Sequence, residues 1–390
     1  MAAPMKPARI RLGMVGGGEG AFIGAVHRIA ARLDDQYELV AGALSSTPEK
    51  ARRSGLALGL APERTYDSYE AMAEAEAARD DGIEAVVIVT PNHVHAPAAR
   101  AFLKAGIHVI CDKPVTVRSA DARALKKLAE QKGLVFAVTH NYSAYPMVRV
   151  ARQLVQSGRL GEVRVVQAEY PQDWLAEPLE RSGQKQAAWR TDPAQAGGGA
   201  IGDIGSHAWH LADFVTGQPL TELCAELSTF VPGRPIDDNA QVMLRYANGA
   251  RGMIWASQVA PGHLNDLRLR VYGSKGGLEW SQEHPNQLRY TPLGQPTQIL
   301  ERAGAAFEAA GARMARIPGG HPEGYLEAFA SLYGEIAQHL RAARRGGRKA
   351  DKASHFPTIA DGLRGVQFIE AVQRSSRLGG RWVRLPGEAA

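Results

Sequence analysis

The chain has 390 residues, 45% hydrophobic and 22% charged, a balance that supports a packed core and excludes disorder as the dominant state. That length suits two domains, and the absence of any apolar run of about 18 residues argues against a membrane-spanning helix. The 46 Lys and Arg against 40 Asp and Glu leave a formal charge of +6, which alone admits a polyanionic partner.

The first residues run into a strand pattern with no apolar signal core, and the two cysteines, Cys111 and Cys224, exclude a disulfide scaffold. A reducing, cytoplasmic setting is expected. In chain order, strand-like runs fall at 10–15, 38–44, 84–90, 108–111 and 134–139, with helical stretches between them at 24–33, 48–58, 68–78, 96–105 and 119–131. Apolar strands alternating with helices predict a doubly wound parallel sheet covered on both faces, an α/β domain over residues 1–144. After a helix at 147–157 the pattern changes to strands at 163–170, 222–231, 241–246, 251–259, 267–272 and 277–281. Asn248-Gly249 reads as a type I′ hairpin turn. Residues 145–390 are thus expected to form an α+β domain on a large, mostly antiparallel open sheet, with late helices at 322–343 and 359–375. An exposed face of that sheet would suit a homodimer or homotetramer. The charge surplus concentrates in Arg341, Arg344, Arg345, Arg348, Lys349 and Lys352, where Asp351 is the one acid. Without interleaved aromatics this reads as a solvated helix end and loop, so no nucleic-acid partner is expected.

Two segments carry chemistry. After the first strand, Gly16, Gly18 and Ala21 meet the G-x-G-x-x-G/A spacing that lets backbone approach a pyrophosphate at a helix N-terminus. The second strand ends in Ser45 and Ser46 with Lys50 close behind, where an acid would read a free ribose 2′-hydroxyl. Hydroxyls and a cation permit a 2′-phosphate, so the cofactor is NAD or NADP with a slight lean to NADP. The second segment is the Gly-rich stretch from Gly197 to Phe214. Taken as an α-helix it puts Asp203, His207 and His210 within about 60° of one another, on a stripe separate from its apolar residues. The glycines Gly202 and Gly205 suggest that something approaches the helix closely. Three readings compete: a helix-surface ion pair, a metal site with divalent-ion chemistry, and acid–base work beside a nicotinamide, with His207 moving the proton and Asp203 fixing its tautomer. The third is adopted, with no metal.

Asp112-Lys113-Pro114 at the end of the fourth strand, Thr90-Pro91-Asn92-His93-Val94-His95 and Asp203-x-x-x-His207 together resemble the Gfo/Idh/MocA oxidoreductases. The resemblance runs from Ile10 to about Trp382. It implies a Rossmann domain followed by a mostly antiparallel domain, and a dehydrogenase or reductase of sugars, inositols and related polyols. It places the catalytic lysine on Lys113 and its partners on Asp203 and His207. It sets Thr90, Pro91, Asn92, His95, Asp112 and Asn141 beside the cofactor, and Trp189-Arg190 in the site. Two departures stand out: Asp112 where many members have Glu, and His210 where many have Asp. Desolvation of Lys113 would lower its pKa towards neutrality; which of Lys113 and His207 takes the proton is open. Tyr142, Tyr145, Trp174, Trp189 and Arg190 offer stacking surfaces for a neutral cyclic polyol or sugar, with His210 and His321 as further substrate contacts. A metal-dependent sugar isomerase or epimerase and a non-catalytic dinucleotide-sensing regulator are the alternatives.

Overall fold

The computed structural model describes residues 7–304, 314–344 and 355–386. Strands β1 (Ile10–Gly16), β2 (Tyr37–Ala43), β3 (Ala85–Val89), β4 (His108–Cys111) and β5 (Phe136–Val138) form a parallel sheet in the order β2-β1-β3-β4-β5. Every residue of β3 is buried, because consecutive side chains enter two different cores. Val86 and Ile88 pack with α3 (Tyr69–Ala77), α4 (Asn92–Lys104) and α5 (Ser119–Lys132); Val87 and Val89 pack on the opposite face against α1 (Phe22–Leu33). The expected doubly wound sheet is present, and α2 (Pro48–Ala57) follows β2.

The second sheet has nine strands among the described residues: β6 (Val163–Pro171), β7 (Leu220–Ser228), β8 (Asn239–Tyr246), β9 (Arg251–Ser257), β10 (Arg268–Gly273), β11 (Gly276–Ser281), β12 (Gln287–Pro292), β13 (Gln298–Glu301) and β14 (Val383–Arg384). All its pairings are antiparallel except β6 with β9. One face carries α6 (Pro146–Gln156), α9 (Ser206–Thr216) and α11 (Ile359–Arg377); the other leaves Met243, Met253, Tyr272 and Ile299 exposed. The β8–β9 turn departs from the type I′ expectation. Gly249 N donates to Tyr246 O at 3.0 Å, so the turn centres on Ala247 and Asn248, neither with positive φ, and Gly249 follows at +90°. The Asn248 side chain is engaged instead, accepting from Ala250 N at 3.0 Å and donating to Val163 O at 3.1 Å.

One helix crosses the expected boundary at 144/145. Helix α10 (Tyr325–Arg344) follows the second sheet in sequence yet packs Phe329, Tyr333, Ile336 and Leu340 on the first, beside α1. Its basic end is not simply solvated: Arg341 donates to Gln36 Oε1 at 2.5 Å, and Arg344 pairs with Glu84. Arg345, Arg348, Lys349 and Lys352 lie outside the described residues.

Candidate active site

The Gly-rich turn sits at the carboxyl edge of the first sheet. Gly16 and Gly17 hold φ of +79° and +73°, conformations that L side chains rarely adopt. A β-carbon on Gly18 would lie 2.6 Å from the Leu44 carbonyl, so the turn is tied to the end of β2. Ala21 caps α1 without a side-chain hydrogen bond, and the first turn of α1 holds no acid. That exposed helix N-terminus suits a pyrophosphate. The turn packs closely on α1 at Gly24, where a β-carbon would stand 2.4 Å from Gly17 Cα.

A continuous cleft of about 1330 Å³ runs from this turn to the junction of the two sheets. It has room for a dinucleotide and a small second ligand, since single-ligand pockets span roughly 300–1,000 Å³. Gly16, Gly18, Ala21, Ser45, Ser46 and Lys50 line one end. Asp67 joins them, its carboxylate occupied by Arg52 at 2.6 Å. Thr90, Pro91, Asn92, His95, Asp112 and Asn141 line the middle. His95 is a tie between loops: its ring nitrogens lie 2.9 Å from the carbonyls of Thr90 and Pro114. The Asn141 Nδ2 is buried without a hydrogen-bond partner, and so is Thr90 Oγ1. Unsatisfied buried polar atoms on a cleft wall are what a hydrogen-bonding ligand would complete.

Lys113, Asp203, His207, Tyr142, Trp189 and Arg190 line the far end. Here the local structure corrects the helical reading. Residues Ile201–Gly205 form a π-helical turn, a feature common at functional sites, before α9 begins. Close approach occurs at Gly199, whose β-carbon would meet Asp237 O at 1.8 Å, and at Gly205; Gly202 faces open space. The Asp237 carboxylate accepts from Gly199 N and Ile201 N, both at 2.9 Å, fixing the turn's start.

The Asp203 carboxylate does not hold His207. It is met by Lys113 Nζ at 3.3 Å, Arg190 Nε at 3.3 Å and Gln258 Nε2 at 2.9 Å, while Lys113 also donates to the Asp203 carbonyl. The His207 Nδ1 is buried with no hydrogen-bond partner. Burial pushes Lys113 below the ordinary lysine value of 10.5, Arg190 adds to the fall and Asp203 opposes it. Burial alone would raise the Asp203 carboxyl, but Arg190 and Lys113 bring it below the usual carboxylate range. Burial, then Lys113, His140 and His210, drive His207 well below 6.5, so its imidazole is neutral at physiological pH.

His210 is not in the cleft. Its ring stacks on His140 at 4.0 Å behind His207, and burial pushes it down to about 3. His321 is exposed outside the cleft and engages through its carbonyl, which accepts from Arg302 at 2.5 Å. Tyr145 is also absent from the lining and packs on Trp280 at 5.3 Å. Cys111 is a buried core residue.

Trp174 lines the cleft as expected, but sequence reasoning missed the rest of its wall. Asn265 Oδ1 accepts from Tyr170 Oη at 2.7 Å and from Gln172 Nε2 at 2.6 Å, and Gln172 Oε1 accepts from Trp174 Nε1 at 3.1 Å. Gln282 and Tyr325 complete that side. Arg190 lies over the Trp189 ring at 4.2 Å and 5.9 Å from the Trp174 ring. Lys113 and Arg190 are committed to Asp203, while Lys185, exposed on the same short helix as Arg190, is a further cation on the lining. The rest of this end offers amides, hydroxyls and aromatic faces. Among the described residues, no three His, Cys, Asp or Glu side chains cluster as a metal site, and no helix is long and apolar enough to cross a membrane.

Comparison with known proteins agrees with this geometry. Residues 10–140 match the model for an oxidoreductase family with an NAD-binding Rossmann fold, and residues 148–279 match the GFO/IDH/MocA C-terminal domain. The uncharacterized oxidoreductase YfiI of Bacillus subtilis is 36% identical, over 96% of this chain and 97% of its own length. The crystal structure of an oxidoreductase from Sinorhizobium meliloti superposes with a TM-score of 0.88 at 56% identity, covering 97% of this chain and all of that one. An inositol dehydrogenase homolog from Azotobacter vinelandii, solved with NADH and myo-inositol, gives 0.90 at 37% identity over 96% and 97% of the two chains. A Rossmann sheet with a glycine turn, an open antiparallel sheet and Lys113 set against Asp203 between them place the chain in the GFO/IDH/MocA family of NAD-binding oxidoreductases.

Proposed function

We propose that the protein interconverts a secondary hydroxyl and a ketone on a neutral cyclic polyol or sugar, an inositol, aldose or glycoside. A nicotinamide cofactor bound along the Gly16–Gly18 turn would accept or return the hydride. The observation that carries this reading is the Lys113 amine, fixed on Asp203 at the end of a cleft that begins at the glycine turn. Lys113 is the proton acceptor, because its amine is held at the end of the cleft and burial lowers it from the ordinary lysine value, whereas burial makes His207 a weaker base than an ordinary imidazole. His207 orients the reacting hydroxyl as a neutral hydrogen-bonding group. Replacing His207 with Gln should lower kcat yet leave the rising limb of the pH–rate profile at the same pH; a shifted limb would assign the proton to His207.

Ser45, Ser46 and Lys50 leave space and a positive charge for a 2′-phosphate, which supports use of NADP as well as NAD. Ser45→Asp should raise the ratio of NAD to NADP affinity by about tenfold or more. An unchanged ratio would remove Ser45 from the ribose end. In this reading residues 1–144 bind cofactor and 145–390 bind substrate, with α10 returning to brace the first sheet. The exposed Met243, Met253, Tyr272 and Ile299 face supports pairing with further copies as a homodimer or homotetramer, and the free cysteines suit a cytoplasmic location.

The reading is tested by following reduced-nicotinamide absorbance with purified protein against inositols, aldoses and glycosides, with each cofactor. Turnover of at least one neutral polyol is expected. Tight cofactor binding without any turnover would favour a sensing regulator.

A further inference from the structure

One buried chain of polar groups is not used by the proton-transfer corner. Asp112 follows β4, immediately before Lys113, and its carboxylate reaches the cleft wall with 17% of the side chain accessible. One of its oxygens, Oδ1, is held twice: it lies 3.1 Å from His27 Nε2 and accepts from Thr139 Oγ1. His27 is wholly buried on α1, and its Nδ1 lies 2.8 Å from the hydroxyl of Tyr333 on α10. With Nε2–H donating to the carboxylate, Nδ1 accepts from the Tyr333 O–H. The His27 ring is also fixed edge-on by Phe329 at 4.9 Å and Tyr333 at 5.9 Å. Two segments far apart in sequence thus meet on one oxygen of Asp112, and α10 reaches it through His27.

No lysine or arginine pairs with this carboxylate among the described residues; its side-chain partners are the His27 ring and the Thr139 hydroxyl. The neighbouring Lys113 amine turns to Asp203 instead. Burial alone would raise the Asp112 carboxyl, but His27 beside it and the hydrogen bonds from His27 and Thr139 bring it below its ordinary value. An ionised carboxylate therefore faces the cleft between the glycine turn and Lys113. A nicotinamide positioned for transfer beside Lys113 must pass this wall. The oxidised ring carries a positive charge and the reduced ring none, so a fixed anion in a largely desolvated wall distinguishes the two.

We propose that Tyr333 and His27 are positioning residues that hold Asp112 as a counter-charge for the oxidised nicotinamide, so that the site binds the oxidised cofactor more tightly than it otherwise would. The device depends on nicotinamide binding and is independent of which polyol is the substrate. It also gives α10 a function beyond covering the sheet.

The test is the ratio of dissociation constants for oxidised and reduced cofactor, measured by calorimetry and by cofactor fluorescence without substrate. The pair used is NAD or NADP, whichever the wild-type protein binds more tightly. Asp112→Asn should weaken binding of the oxidised form by about tenfold or more while the reduced form changes less than about threefold. Tyr333→Phe, which removes one hydroxyl from a retained ring, should shift the same ratio in the same direction by a smaller factor. Thermal melts of each variant check the fold, and the Tyr333 variant decides the matter should Asp112→Asn fail to fold. Equal weakening of both forms, or an unchanged ratio in the variants that fold, would overturn the proposal. Failure to turn over any polyol would leave this ratio measurable, so it tells against the proposed substrate and not against the counter-charge.

Discussion

Lys113→Ala is expected to lower kcat by about 10²–10⁴-fold, the range for loss of a general acid–base group, with cofactor affinity changed only a few-fold. The expectation follows from position. Lys113 lies at the far end of the cleft, and its Nζ is fixed on both the carbonyl and the carboxylate of Asp203. Alanine leaves the glycine turn untouched, so the loss should appear in kcat. For polyol oxidation the wild-type rate should rise with pH as Lys113 loses its proton, with a midpoint below the ordinary lysine value of 10.5. The alanine variant should lack that limb. A rate within threefold of wild type, with the limb intact, would remove Lys113 from the mechanism.

Asp203→Asn has the second-largest expected effect, and its sign is informative. Asparagine keeps the shape of the side chain and an acceptor for Gln258, but it leaves Lys113 and Arg190 as two neighbouring cations without their counter-ion. Breaking a buried ion pair costs up to about 3–5 kcal/mol; the Lys113 and Asp203 side chains are 15% and 19% accessible along the open cleft, so a loss of about 1–3 kcal/mol in stability is expected from chemical denaturation. Asp203 favours the charged lysine, so its neutralisation should move the rising limb of the pH–rate profile to lower pH. Arg190→Met should move it the other way, because Arg190 disfavours the charged lysine. Misplacement of the amine should also lower kcat by about tenfold or more. Limbs that move together, or not at all, would show that Lys113 is not the titrating group.

Much of this arrangement was legible in the sequence, for identifiable reasons. The first sheet is readable because its strands are buried on both faces and appear as unbroken apolar runs, as in Ala85–Val89. Lys113 and Asp203 are readable because a motif names them. Strands β12 and β13 escaped notice because Pro292, Gly294 and Pro296 interrupt their pattern at a sheet edge. The docking of α10 on the first sheet could not be read, since an apolar stripe says that a helix is buried without saying against what. The π-helical turn had a signal, the run of glycines, but regular α-helical spacing misdirected it. It put Asp203 against His207, when the turn delivers the carboxylate to Lys113 and Arg190. Gln258, Asn265, His27 and Tyr333 belong to no motif, and only the assembled strand ends and helices bring them to the cleft or behind it.

The claim on which the rest depends is that a carbon-bound hydrogen passes from substrate to nicotinamide. It is tested most directly with a polyol deuterated at its carbinol carbons, such as carbon-deuterated myo-inositol, or the substrate that the panel identifies. The isolated reduced cofactor is then analysed by mass spectrometry. One deuterium is expected on the reduced nicotinamide per ketone formed. Conversion of the polyol with the label lost to water and none on the cofactor would contradict it.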